Sequence, residues 1–227
     1  MARSVIVIGL GRFGTSVAHT LFQLGYDVLG IDTDEKVVQA NLGQITYSVQ
    51  GDSTDETTLR ELGVANFDAA IVAVGSDMQA SLMTSVLLTT LDVPLIIGRA
   101  EDQLHGNTLE RIGVHKIIYP EQEMGEQVAH GLFNPDVLEY MDLTSDFGIS
   151  KIRIPDHLVE HSLKEVGLGE EERDKHGISV IAIKSGKDVT LAPGEDSKLI
   201  KGDILIIAAK DGQLDNLHDL TNGPLIR

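Results

Sequence analysis

The chain has 227 residues, 42% of them hydrophobic and 23% charged, which suits one or two globular domains with proper cores. Its 35 acidic against 18 basic residues give a formal net charge of -17, which argues against broad nucleic-acid binding, because phosphate neutralisation needs basic patches. The absence of cysteine excludes disulfides, thiolate nucleophiles and cysteine-bound zinc, and no apolar stretch reaches the roughly 18–20 residues a membrane span needs.

The chain enters a strand-like run within four residues, with no secretory leader ahead of it. Over the first ~140 residues short apolar runs alternate with helical patterns. Strands are predicted at Val5–Gly9, Val28–Asp32, Thr46–Gln50, Ala69–Val74, Leu95–Arg99 and Lys116–Tyr119. They are continuous Val/Ile/Leu runs, as strands covered on both faces should be. Helices are predicted at Gly14–Leu24, Asp34–Leu42, Thr54–Leu62, Asp77–Thr90 and Gln103–Ile112, with Asp34 and Ser53 or Thr54 in N-cap positions. This alternation predicts an α/β fold, a doubly wound parallel sheet of the Rossmann type. A further helix from Glu121 to Leu132 is broken by Asn134-Pro135.

Beyond that break the rhythm changes. Ile149–Ile154 and Val180–Lys184 alternate like half-buried strands, and Ile204–Ala208 is apolar. Turn signals fall at Ser185-Gly186-Lys187, Pro193-Gly194 and Lys201-Gly202-Asp203, and a helix is expected near Ser162–Val166. The chain therefore divides into a Rossmann domain over 1–133, a linker over 134–142 and a second, smaller α+β domain over 143–227, with Thr221–Arg227 as a frayed tail. Charge is uneven: residues 1–141 hold 7 basic and 19 acidic residues, net -12, and residues 142–227 hold 11 and 16, net -5. That surface serves solubility, or it suits cations or a basic partner.

Gly9, Gly11 and Gly14 form G-x-G-x-x-G directly after a predicted strand and at the opening of a helix. The first glycine permits the tight turn, the second lets the backbone approach a phosphate, and the third allows close helix–strand packing. The helix N-terminus then offers N–H groups and the positive end of its dipole to an anion. Asp32 ends the second strand, 18 residues after Gly14, where a carboxylate accepts from ribose hydroxyls and repels a 2′-phosphate. Arg12 sits inside the loop, as a clamp for extra phosphate of its own or a neighbouring subunit's nucleotide, or as a solvent-facing charge. Asp52 and Ser53 follow the third strand, in reach of a base edge or as a capped helix start. Glu121 follows the sixth strand on the same rim, against a phosphate-bound cation or a second subunit, or as first-turn helix charge.

Catalytic signatures are missing. The eight histidines are scattered, and His157 and His161, though spaced i, i+4, have no carboxylate clearly joined to them. G-x-S-x-G, H-E-x-x-H and the Walker lysine motif are absent. Sensing of a nucleotide is favoured over chemistry on it. The competing readings are an NAD-dependent dehydrogenase and a Rossmann module tuned to the NADH/NAD ratio.

The segments VIVIGLGRFGTSVA, GIDTD, GDSTDETTLRELGV, FDAAIVAVG, IYPEQEMGEQVA and HGISVIAIKSGKDVTLAPGEDSKLIKGDILIIAA, in that order, give the chain a resemblance. It resembles the RCK family, the regulators of potassium conductance, in its KtrA-, KtrC- and TrkA-type cytosolic subunits, over roughly residues 4–210. The resemblance implies a Rossmann lobe followed by an RCK-C lobe, dimers assembled into an octameric ring, and a KtrB/TrkH-like membrane potassium transporter subunit as partner. It implies a cytoplasmic place at the inner face of the membrane, with ATP favouring conduction, ADP opposing it, and NAD or NADH as further ligands. It puts Gly9, Gly11, Arg12, Phe13 and Gly14 at the phosphates and Asp32 with Thr33 at the ribose. Asp52 and Ser53 fall near the adenine, and Ala73 and Arg99, the latter of uncertain role, join the nucleotide-binding residues. It makes Arg12 the residue that reaches a neighbour's γ-phosphate and carries the ATP–ADP difference. It makes Glu121 a ligand for Mg2+ or Na+, and Arg173, His176, Ile178 and Pro193 candidates for cyclic di-AMP in the second lobe.

Overall fold

The computed structural model describes residues 3–75, 77–132, 136–144, 147–169 and 177–210. The chain divides into two compact units, Met1–Glu121 and Gln122–Arg227.

The first unit is built on six parallel strands: β1 (Ser4–Ile8), β2 (Asp27–Asp32), β3 (Tyr47–Gln50), β4 (Ala69–Val72), β5 (Ile96–Arg99) and β6 (Lys116–Ile118). Their order in the sheet is β3-β2-β1-β4-β5-β6. β1 lies at the centre, with Val7 opposite Gly30 on one side and Ile71 on the other. The central strands are apolar along their middles because both faces are covered there, whereas the edge strand β3 carries Ser48 and an exposed Gln50. Ile6 and Ile8 pack with Leu59, Leu88 and Leu109 on one face, and Val5 and Val7 pack with Leu10, Ala18 and Ile45 on the other. Each fully buried isoleucine of this kind contributes about 1.5–3 kcal/mol.

Five helices cross between strands: α1 (Arg12–Gln23), α2 (Glu35–Asn41), α3 (Glu56–Glu61), α4 (Met78–Thr90) and α5 (Gln103–Ile112). Aspartates start four of them. Asp34, Asp55, Asp77 and Asp102 each accept a first-turn N–H, from Lys36, Thr57, Ala80 and His105. The cap of α3 is therefore Asp55 and not Ser53 or Thr54. Asp52 turns the chain first, its carboxylate taking the Thr54 N–H at 2.8 Å and the Thr54 hydroxyl at 2.7 Å, which delays the helix by a residue or two. Gly113 (φ +103) ends α5 in the left-handed conformation. A sixth helix, α6 (Pro120–Gly131), opens with proline at its first position.

The second unit holds a five-stranded antiparallel sheet, in the order β10-β9-β11-β8-β7. Its strands are β7 (Val137–Thr144), β8 (Phe147–Arg153), β9 (Ile178–Ser185), β10 (Asp188–Leu191) and β11 (Ile204–Lys210). One face carries the core, with Ile152, Ile154, Ile183, Leu205 and Ile207 over Leu158, Leu163 and Leu199. The residues expected as a linker, 134–142, run into β7 from Val137, because Tyr140 and Met141 pair with Ser150 and Ile149 of β8. β10 is a strand that the turn signal alone did not announce; Gly186 (φ +60) closes a two-residue hairpin onto β9. The helix expected at Ser162–Val166 is a single turn. Ser162 and Glu165 cap each other, Val166 N–H reaches the Ser162 carbonyl at 3.2 Å, and Gly167 (φ +74) stops it. The break at Asn134-Pro135 and the tail Thr221–Arg227 lie outside the described residues. Among the described residues no helix is long and apolar enough to cross a membrane.

Candidate functional site

The carboxyl ends of β1, β2, β4 and β5 open onto one cavity of about 920 Å3 in the first unit. It straddles the point where strand order reverses between β1 and β4, the position at which open α/β sheets bind ligands.

The glycine loop forms its floor, and the three glycines are there for three different reasons. Gly9 adopts φ +88, and its N–H donates to the Ile31 carbonyl at 2.9 Å. Gly11 is the N-cap of α1, with no side chain capping the first turn, and a Cβ there would meet nothing within 4 Å. Gly14 has no such room: a Cβ would stand 1.8 Å from the Gly9 carbonyl oxygen and 3.1 Å from the Ala73 Cβ. The backbone is thus open at the second glycine and closed at the third. The first-turn N–H groups and helix dipole point where an anion would sit.

Asp32 has a role in this loop that its position in the sequence does not reveal. Its Oδ2 accepts the Leu10 N–H at 2.7 Å and its Oδ1 accepts the Asp34 N–H at 2.9 Å. The carboxylate pins the glycine turn to the end of β2, and its remaining lone pairs face the cavity together with Thr33. Asp52 lies on the same rim, its pKa held below the usual carboxylate value by the hydrogen bonds from Thr54. Ser53 lines the cavity but is buried, and its hydroxyl is committed to Thr84 of α4 at 2.8 Å.

Arg12 is exposed, lines the cavity from the first position of α1, and makes no ion pair among the described residues. Arg99 is held from several sides. Its Nη2 meets Glu121 Oε1 at 2.5 Å, and its guanidinium lies 5.9 Å from the Phe13 ring centroid. It also covers Gly75, where a Cβ would stand 2.2 Å from Nη1. The Arg99 side chain is 21% exposed, its Nε is buried without a hydrogen-bond partner among the described residues, and Glu121 is 66% exposed.

The structure thus brings Gly9, Gly11, Arg12, Asp32, Thr33, Asp52, Ser53, Ala73, Arg99 and Glu121 to one cavity, with Phe13 and Gly14 packed directly behind it. Among the lining residues that the sequence reading did not name are Gly75, Asp77 and Glu101. All three follow β4 or β5, so the rule that ligands sit at strand carboxyl ends would have found them. The charge of the wall is uneven, with five carboxylates (Asp32, Asp52, Asp77, Glu101, Glu121) against two arginines.

A second cavity, of about 110 Å3, lies in the second unit and is lined by Ile178, Pro193 and Glu195 among others. It is far below the roughly 300–1,000 Å3 of small-molecule sites, and Ile178 itself belongs to the core. Arg173 and His176 lie outside the described residues. Of the histidine pair, His161 turns its Nδ1 to the Val159 carbonyl at 3.1 Å.

Fold and cavity together define a Rossmann domain with a phosphate-ready glycine loop, followed by a small antiparallel domain. The TrkA-N domain model matches residues 5–120 and the TrkA-C domain model residues 149–222. The chain is 36% identical over 207 residues to Ktr system potassium uptake protein C of Bacillus subtilis, an alignment covering 91% of this chain and 92% of that protein. It is 37% identical to Ktr system potassium uptake protein A of the same organism, covering 88% and 89%. Among solved structures the GsuK RCK domain superposes with a TM-score of 0.65 at 16% identity, covering all of this chain and 49% of that one. The chain belongs to the TrkA-N/TrkA-C family of RCK proteins that includes the Ktr potassium uptake proteins.

Proposed function

We propose that this chain is a nucleotide-sensing regulatory subunit, not an enzyme, that gates a membrane potassium transporter from the cytoplasmic side. ATP favours conduction and ADP disfavours it. The observation that carries this reading is the glycine loop: open at Gly11, closed at Gly14, and set under a cavity of about 920 Å3. The likeness to Ktr potassium uptake proteins, aligned over about nine tenths of their length, supports a membrane potassium transporter subunit as partner, in this reading a KtrB/TrkH-like one.

In this reading the loop and the first turn of α1 hold the phosphates, Asp32 takes the ribose hydroxyls, and the Asp52–Ser53 backbone borders the base. Arg12, exposed and without an ion pair among the described residues, reaches the terminal phosphate of its own or a neighbouring nucleotide. Five carboxylates in the wall oppose a polyphosphate, so a cation such as Mg2+ or Na+ entering with the ligand relieves the repulsion, and Glu121 is the carboxylate placed to meet it. Among the described residues no three His, Asp or Glu side chains converge on one point, so phosphate, water or a second copy supplies the other ligands. The ring is an octamer built from dimers. Nucleotide shifts it between states by no more than its differential affinity for them. The cavity near Ile178 and Pro193 is too small to enclose a cyclic dinucleotide, so cyclic di-AMP binding in the second unit would require two copies of the chain.

Calorimetry of ATP, ADP, NAD and NADH with the purified protein, with and without magnesium, tests this. Tight ATP and ADP binding with weak NAD supports the gate. Tight NADH binding with negligible ATP overturns it in favour of NAD(H) sensing or a dehydrogenase.

A further inference from the structure

Arg99 is a cation that the glycine loop does not explain. It comes from the end of β5, yet it lies against Phe13 in the first turn of α1, where a phosphate would sit. It is less exposed than Arg12, so a contact with it is less screened by water. Its present partner is a single carboxylate, Glu121, which is two-thirds exposed. Its Nε is buried and has no hydrogen-bond partner among the described residues. Gly75 provides the space it occupies, and any side chain there would push it away.

We infer that Arg99 is a specificity-determining residue that counts phosphates: a terminal phosphate takes its guanidinium from Glu121. The inference rests on the adenine-nucleotide reading above. A guanidinium binds phosphate bidentately, and a terminal phosphate carries more charge and more acceptor oxygens than one carboxylate, so the exchange favours the longer nucleotide. AMP, whose single phosphate is occupied by the loop, leaves the Arg99–Glu121 pair intact. The exchange also changes what holds the first turn of α6, because Glu121 is the second residue of the helix by which the chain leaves the first unit. The ATP preference is thus shared between Arg12 and Arg99, with Arg99 acting within its own copy.

The test is calorimetric titration of AMP, ADP and ATP in EDTA, which removes divalent ions from the comparison. Loss of one charge-assisted pair in Arg99→Gln is expected to weaken ATP about 10-fold or more while AMP changes less than about two-fold. Gly75→Ala, which displaces the guanidinium without deleting it, is expected to act in the same direction, and Arg99→Lys to fall between it and the parent. Glu121→Gln is expected to tighten ATP about three-fold or more without metal, because Arg99 no longer has to leave a carboxylate. An unchanged ATP-to-AMP ratio in Arg99→Gln overturns the inference. So does an equal loss of all three nucleotides, or a weaker ATP in Glu121→Gln under EDTA. If Arg99→Gln does not fold, the Gly75→Ala and Glu121→Gln results decide alone. A parent that binds no adenine nucleotide overturns the function itself, whereas a parent that prefers ATP with variants that keep the preference overturns only the role of Arg99.

Discussion

Two alanines placed three residues apart should fail in opposite ways. In Gly14→Ala the new methyl would stand 1.8 Å from the Gly9 carbonyl oxygen, a backbone atom of the glycine loop. Neither partner is the flexible end of a side chain, so α1 or the loop has to move. The cost falls at the upper end of the overpacking range, about 3 kcal/mol. For a chain of this size that lowers Tm by about 6–12 °C. In Gly11→Ala the methyl meets nothing within 4 Å, and the backbone, at φ -63 and ψ -171, suits alanine. The lower unfolded-state entropy of alanine offsets the weaker N-cap, so stability should stay within about 0.5 kcal/mol of the parent. The methyl nevertheless occupies the space a phosphate needs beside the first-turn N–H groups. Losing such charge-assisted contacts raises the nucleotide Kd about 10- to 100-fold. Thermal melts of the unliganded variants and ATP titration of each separate the two effects. A Gly14→Ala protein that melts with the parent would refute the packing argument. A Gly11→Ala protein that binds ATP as the parent does would show that the loop is not where phosphate sits.

Two side chains and the assembly state give three further expected outcomes. Asp32→Asn leaves either the Leu10 or the Asp34 N–H facing an amide NH2, so it should cost about 1–2 kcal/mol. By removing the negative charge it should also raise the NADP-to-NAD affinity ratio; an unchanged ratio would take Asp32 away from the ribose. His105 is fully buried, its Nδ1 accepting the Glu101 N–H at 3.3 Å and its Nε2 3.2 Å from the Ser81 hydroxyl. Burial pushes its pKa below 6.5, against the opposing pull of Asp102 and Glu101. The unfolded chain then takes up a proton before the folded one does, so stability present above pH 6.5 is lost as pH falls below it. His105→Gln should flatten that fall, measured as denaturant midpoints from about pH 7 to 5; an unaltered slope would show that another group is responsible. Light scattering of the purified protein should give the mass of eight chains, and a dimer as the largest species would favour the enzyme reading.

Several elements were legible from local sequence alone. The six strands of the first unit stand where continuous apolar runs predict them, because both faces of that sheet are covered and no alternation is needed. The helices stand where periodicity predicts them, and Asp34 caps α2 as its position predicts. Errors came where a local signal met a competing one. Ser53 and Thr54 look like caps, but Asp52 closes a turn first and Thr84 takes the Ser53 hydroxyl. Ser162–Val166 carries a capping pair, yet Gly167 allows only one turn. The expected linker contains a strand because its residues pair with β8, a partner that composition does not show.

The sequence by itself determined the order of strands and helices, the glycine loop and the carboxylate at the end of β2. These depend on backbone chemistry and spacing within one or two elements. Only the tertiary structure decided what the far rim of the cavity contributes. Arg99 and Glu121 are 22 residues apart, and Gly75 and Phe13 come from two further elements. They meet because strand order sets β1, β4, β5 and β6 side by side, so that residues following each strand share one rim. Neighbourhood of that kind is a property of register and crossover direction, and no periodicity along the chain records it.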